Sequence, residues 1–172
     1  EAKQAAEQAL KLIPGARLEE FAELYWLLAR SLELMGDLGA AFDVSSKGLI
    51  SAEQSGRQAL VVRALLQLGR LAYMRGDLGI SLAMSGWAVQ RSALLDSEQS
   101  TLGRGGGVAS LAYLDRGQIR EAAVVAARAM EISRQYRDGP AIAMAGLAMA
   151  LAYERLNEHT FATEMLSHVL DD

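Results

Sequence analysis

Apolar residues recur at helical spacing along nearly the whole chain, and no alternating run of the kind that builds a half-buried strand interrupts them. The pattern predicts helices over roughly 2–12, 17–34, 38–55, 57–74, 78–95, 99–115, 118–136, 139–156 and 159–170. Helix-stopping residues stand in the gaps: Pro14-Gly15, Gly36-Asp37, Ser55-Gly56, Gly76-Asp77, Gly117 and Asp138-Gly139-Pro140. Glycine suits the left-handed position after a helix, and aspartate caps the next one. Pro140 belongs in a first turn, where its missing N–H does no harm. Connections this short predict antiparallel neighbours.

The turns are periodic. Gly36-Asp37-Leu38, Gly76-Asp77-Leu78, Gly117-Gln118-Ile119 and Asn157-Glu158-His159 are spaced by 40, 41 and 40 residues. A fixed period in this range is the signature of a repeat architecture. Superimposed on the turn, two columns hold only small residues. Ala29, Gly69, Ser110 and Ala150 stand seven residues before it, and Ala41, Ser81, Ala122 and Ala162 five after it. These are the points where the two helices of a hairpin cross closely and a larger side chain would push them apart. A third column, Leu32, Ala72, Tyr113 and Tyr153, fills the interior.

Small residues at those two positions, with Leu68-Gly69 before the turn and Gly76-Asp77 in it, resemble the tetratricopeptide repeat. The resemblance implies an all-α fold, a right-handed solenoid of antiparallel helix hairpins. It implies a leading half repeat over 1–16, with Ala2, Ala6 and Ala9 before Pro14, then repeats over about 17–56, 57–97, 98–138 and 139–172. The period exceeds the ordinary ~34 residues. With Gln67-Leu68-Gly69-Arg70-Leu71-Ala72 and Arg75-Gly76-Asp77-Leu78, it is similar to the helical sensor region of MalT-like, LuxR-type bacterial transcription regulators. The half repeat and the lack of an initiator methionine predict a piece of a longer protein.

Composition narrows the chemistry. The 172 residues are 51% hydrophobic, enough for a substantial core, and carry a net charge of −4. That charge argues against a nucleic-acid surface, which would be basic. The absence of Cys excludes disulfides, a thiolate zinc site and a cysteine nucleophile. No apolar run approaches the ~20 residues that span a bilayer, and no signal peptide precedes the first helix, so the expected location is the cytoplasm.

Little in the chain points to catalysis. His159 and His168 fall on opposed faces of one helix and read as surface histidines. No phosphate loop of the Gly-x-x-x-x-Gly-Lys type and no nucleophile elbow occurs, and neither an enzyme, a metal nor a cofactor is expected. Gly103-Arg104-Gly105-Gly106-Gly107 could cradle an anion, but its spacing fits no phosphate motif. The expectation is that the first helix of the third repeat starts late, near Gly107, or is locally distorted. Alternatively, the missing side chains let a ligand or a neighbouring helix come close. The seven methionines read mainly as adaptable core filler.

The repeat register, carried over from the resemblance, places Glu23, Trp26, Arg30 and Glu33 of the first repeat on the concave face, with Arg63, Leu66, Arg70 and Tyr73 of the second. Arg104, Gly107, Leu111 and Leu114 follow in the third, and Met144, Leu147, Leu151 and Glu154 in the fourth. Trp26, Arg30, Arg63, Arg70, Tyr73, Arg104, Leu111 and Leu147 are the candidate partner-binding residues. The first half is rich in arginine and aromatics and the second is apolar, so an acidic peptide with a hydrophobic end would fit. The opposite reading pairs these arginines with local carboxylates. A small-molecule effector, or self-association through exposed repeat ends, are the competing uses of such an array.

Overall fold

The computed structural model describes residue 8 and residues 17–95 and 99–171; nothing is stated of residues outside these, including most of the 2–12 segment and the proposed half repeat. Eight helices occupy the described residues, with no strand among them: α1 Leu18–Leu34, α2 Leu38–Ser55, α3 Gln58–Met74, α4 Leu78–Ser92, α5 Gln99–Asp115, α6 Ile119–Gln135, α7 Gly139–Arg155 and α8 His159–Asp171. The boundaries follow the apolar pattern closely. The exception is α4, where Ala93 and Leu94 leave the helix in a turn and Leu94 is 84% exposed.

One turn is used again and again. The N–H of Asp37 reaches the Leu32 carbonyl at 3.0 Å, and Asp77, Gln118, Asp138 and Glu158 bond Ala72, Tyr113, Ser133 and Tyr153 in the same way, each at 2.9 Å. This six-to-one bond closes a helix when the residue before it is left-handed. Gly36, Gly76 and Gly117 hold that position, and Asn157 holds it at φ 62°. Between the third and fourth hairpins the left-handed residue is Arg137, at φ 53°, and not Gly139, which already lies inside α7. The aspartates cap unequally. Asp37 and Asp138 accept from the N–H groups of Ala40 and Ala141, whereas the Asp77 carboxylate turns to Arg75 at 3.4 Å.

Each even-numbered helix up to α6 packs between two odd-numbered ones, and α1, α3, α5 and α7 also touch one another side by side. The odd helices therefore form the inner layer of a curved two-layer array, an α-solenoid. Both small columns are buried at the crossings, with Ala29, Ala41, Ser81, Ser110 and Ala122 at 0% exposure. The small stripe runs further than the turn-based columns show: Ala41, Ser45, Gly48 and Ala52 on α2, Ser81, Ser85, Ala88 and Ser92 on α4, and Ala122, Ala126, Ala129 and Ser133 on α6 are all buried. A Cβ added to Gly69 would come within 2.6 Å of Ser85 Oγ, which shows how closely α3 and α4 approach.

The glycine cluster corrects the expectation of a late or distorted helix. α5 runs unbroken from Gln99 to Asp115. A Cβ on Gly106 would lie 2.9 Å from Ala129 on α6, one on Gly105 would lie 3.0 Å from Val89 on α4, and one on Gly107 would lie 3.3 Å from Met144 on α7. With Leu66 of α3 lying 3.2 Å from the same Gly105 position, four helices close on α5 where it has no side chains, so tertiary packing offsets the roughly 1 kcal/mol per glycine that the helix loses relative to alanine. The cluster admits neighbouring helices, and its backbone is too enclosed to cradle an anion. Leu114, placed on the concave face by the register, is instead 1% exposed and belongs to the core with Met130, Ile142 and Ala145.

Candidate functional site: an arginine-lined groove on the inner face

A groove of about 650 Å³ crosses the inner layer. Trp26 and Arg30 from α1, Arg63, Leu66 and Arg70 from α3, and Arg104 and Val108 from α5 line it, and Pro140, Ala141 and Met144 of α7 close its far wall. Its course is oblique. Trp26 and Arg30 sit in the second half of α1, while Pro140, Ala141 and Met144 sit at the start of α7. Five of the eight candidate residues are thus brought together: Trp26, Arg30, Arg63, Arg70 and Arg104. Tyr73, Leu111 and Leu147 are not among the groove's lining. Leu111 packs partly into the core, Leu147 is 46% exposed, and Tyr73 lies near the end of α3 beside Asp115. Met144, which the register put on the concave face, is a wall of the groove.

The four arginines differ in their partners. Arg70 clasps Glu33 with both terminal nitrogens, and Arg30 joins the same carboxylate at 2.7 Å. The Glu33 side chain is only 8% exposed. Burial pushes its carboxyl pKa up, but the hydrogen bonds and charges of Arg70 and Arg30 outweigh this and leave it below the ordinary value. Arg104 Nε lies 2.6 Å from Asp138 Oδ2, while the other oxygen of Asp138 caps α7. Arg63 has no carboxylate partner among the described residues. Its guanidinium lies over the Trp26 ring, 5.7 Å from the centroid. Stacking on an indole leaves the in-plane N–H donors of a guanidinium free for a planar acceptor.

Below this groove, burial first and then the hydrogen bond and charge of Asp115 raise the Tyr73 pKa above its ordinary value. Arg155 donates to the Leu114 carbonyl, a tie between α7 and α5. Among the described residues no group of three His, Asp or Glu could hold a metal, and His159 is exposed. No described helix is long and apolar enough to cross a membrane.

The sequence matches no known protein family and no curated protein. The fold does have relatives among solved structures. BtubC (BKLC) from P. vanneervenii superimposes with a TM-score of 0.84 at 16% identity, over 99% of this chain and 71% of that one. A putative kinesin light chain of nearly identical TPR-like repeats from Podosopora anserina gives 0.73 at 18% identity, over 99% of this chain and 82% of the other. The apo form of RapI gives 0.76 at 13% identity, covering 98% of this chain and 47% of that chain. The protein therefore has the fold of the tetratricopeptide-like α-solenoids.

Proposed function

We propose that this array is a protein-interaction module whose groove receives an acidic, partly apolar segment of a partner. The observation that carries the reading is the groove itself: four arginines, of which Arg63 has no carboxylate partner among the described residues and rests on Trp26, with an apolar wall of Leu66, Val108 and Met144. A carboxylate on the segment meets Arg63, and an aliphatic side chain meets the wall toward α7. The groove crosses four helices about 10 Å apart, so an extended segment of roughly nine residues spans it. The arginines paired with Glu33 and Asp138 shape the groove more than they bind.

On this reading the module serves a cytoplasmic bacterial regulator similar to the MalT-like proteins, and no catalysis is assigned to it. Binding would favour one curvature of the array and so bias an attached domain. Two alternatives attach to specific observations. The volume of about 650 Å³ lies in the range of small-molecule sites, which favours a small effector in the same groove. Exposed Phe161 and Leu166 on α8, with Leu34 and Met35 at the end of α1, favour self-association through the ends. Charge reversal at Arg63 tests the main reading, because among the described residues this groove arginine has no carboxylate partner and its loss breaks no ion pair there. Thermal shifts with metabolites but not peptides would support the effector. A mass that rises with concentration and no groove ligand would support the scaffold.

A further inference from the structure

Behind the wall that Trp26 and Arg63 make for the groove lies a second, smaller space between α1, α2 and α3, with the exposed Glu23 also in its lining. Ala22, Ser45, Gly48, Leu60, Ala64 and Gln67 surround it. The room for the centre of a water-sized sphere is about 10 Å³, the least that holds one water molecule. Ser45 is 1% exposed, and its hydroxyl has no hydrogen-bond partner in the protein. Its neighbour Ser46 returns its hydroxyl to the Phe42 carbonyl at 2.9 Å, the usual arrangement in a helix, so the Ser45 hydroxyl stands out. Gln67 brings a second polar side chain, 5% exposed, whose Nε2 donates to the Trp26 carbonyl across a long 3.4 Å.

Ser85 supplies a contrast on α4. It is equally buried and equally without a partner, but its hydroxyl is pressed against Gly69, where a Cβ would come within 2.6 Å of it. One orphan hydroxyl belongs to a residue that lines a space, and the other is pressed against a packed helix crossing.

We infer that the space is a hydration site. One water molecule bridges Ser45 Oγ and the Gln67 side-chain amide and belongs to the folded protein. It completes the hydrogen bonding of Ser45 and steadies Gln67 against the Trp26 carbonyl, which ties the floor of the groove to α2. Ser45 is thereby a positioning residue for Trp26. The inference is independent of what the groove binds.

Nuclear Overhauser spectra of the whole chain in water test it. A long-lived water gives cross-peaks to the methyl groups of Ala22 and Ala64 in the parent, and Ser45→Val, which fills the space with methyls, abolishes them. Absence of those cross-peaks in the parent overturns the site. A second arm compares Ser45→Ala with Ser85→Ala, which share the same gain in helix propensity. The hydration site requires a lower thermal midpoint for Ser45→Ala, because that variant alone loses a bridged water. An equal or higher midpoint for Ser45→Ala overturns it.

Discussion

Arg70 on α3 grips Glu33 on α1 with both terminal nitrogens, a fork-to-fork pair that locks the first two inner helices together under the groove. With the Glu33 side chain only 8% exposed, removing its main partner leaves a nearly buried charge held by Arg30 alone. Arg70→Ala is expected to destabilise the fold by about 2 kcal/mol, read by urea denaturation. Arg30→Ala, at a side chain 43% exposed, should cost less.

The same pair gives the protein an acid-sensitive contribution. The folded-state pKa of Glu33 lies below its ordinary value of 4.5, so the stabilisation is complete above that value. It is lost as pH falls through the depressed folded pKa, because protonation releases both arginines. The stability difference between the parent and Glu33→Gln should be constant near neutrality and shrink below about pH 4.5. A difference that stays constant into the acid range would show that Glu33 is not held as the carboxylate.

Arg137 occupies a left-handed turn that Gly56 fills between the first two hairpins, and its side chain is exposed. A non-glycine residue there carries a conformational cost, so Arg137→Gly should stabilise the protein by about 1 kcal/mol. Asn157→Gly should gain less, since asparagine tolerates this region. Equilibrium unfolding measures both.

Glycines inside the helices divide into two kinds. Gly69→Ala drives a methyl to 2.6 Å from Ser85 Oγ and 3.2 Å from the Ser85 backbone nitrogen, and should cost about 1–3 kcal/mol. A Cβ at Gly86 meets nothing within 4 Å on an exposed turn of α4, so Gly86→Ala should gain about 0.5–1 kcal/mol. Thermal midpoints moving in opposite directions check the account of the close crossings.

Helix positions and the inner layer were legible in the sequence because both are written in local periodicity. The crossing columns were legible for the same reason: Ala29 with Ala41 and Gly69 with Ser81 repeat in register with the turn. Three features were not. The apolar run Ala93-Leu94-Leu95 continues the helical pattern of α4 although the chain has already turned. The cost of Gly103 to Gly107 is local and visible, whereas the approach of Val89, Ala129 and Met144 that repays it comes from other helices. The register put Arg63 and Arg70 on the first helix of a hairpin, where both line the groove, but one repeat contains no information about superhelical twist. The groove therefore slides from the second half of α1 to the start of α7 and leaves Tyr73, Leu111 and Leu147 aside. Glu33 was placed on the concave face, yet only the packing of α1 on α3 reveals it as the partner of Arg70.

The binding claim is tested most directly by fluorescence polarisation with a labelled nine-residue peptide that alternates glutamate and leucine, measured on the parent, Arg63→Glu and Arg128→Glu. Arg128 is 68% exposed on the outer helix α6 and serves as a charge-matched control. The account predicts saturable binding to the parent and to Arg128→Glu, weakened by added salt, and a loss of about tenfold or more in Arg63→Glu with helicity unchanged. Equal affinity for all three proteins, or no binding to the parent, would contradict it.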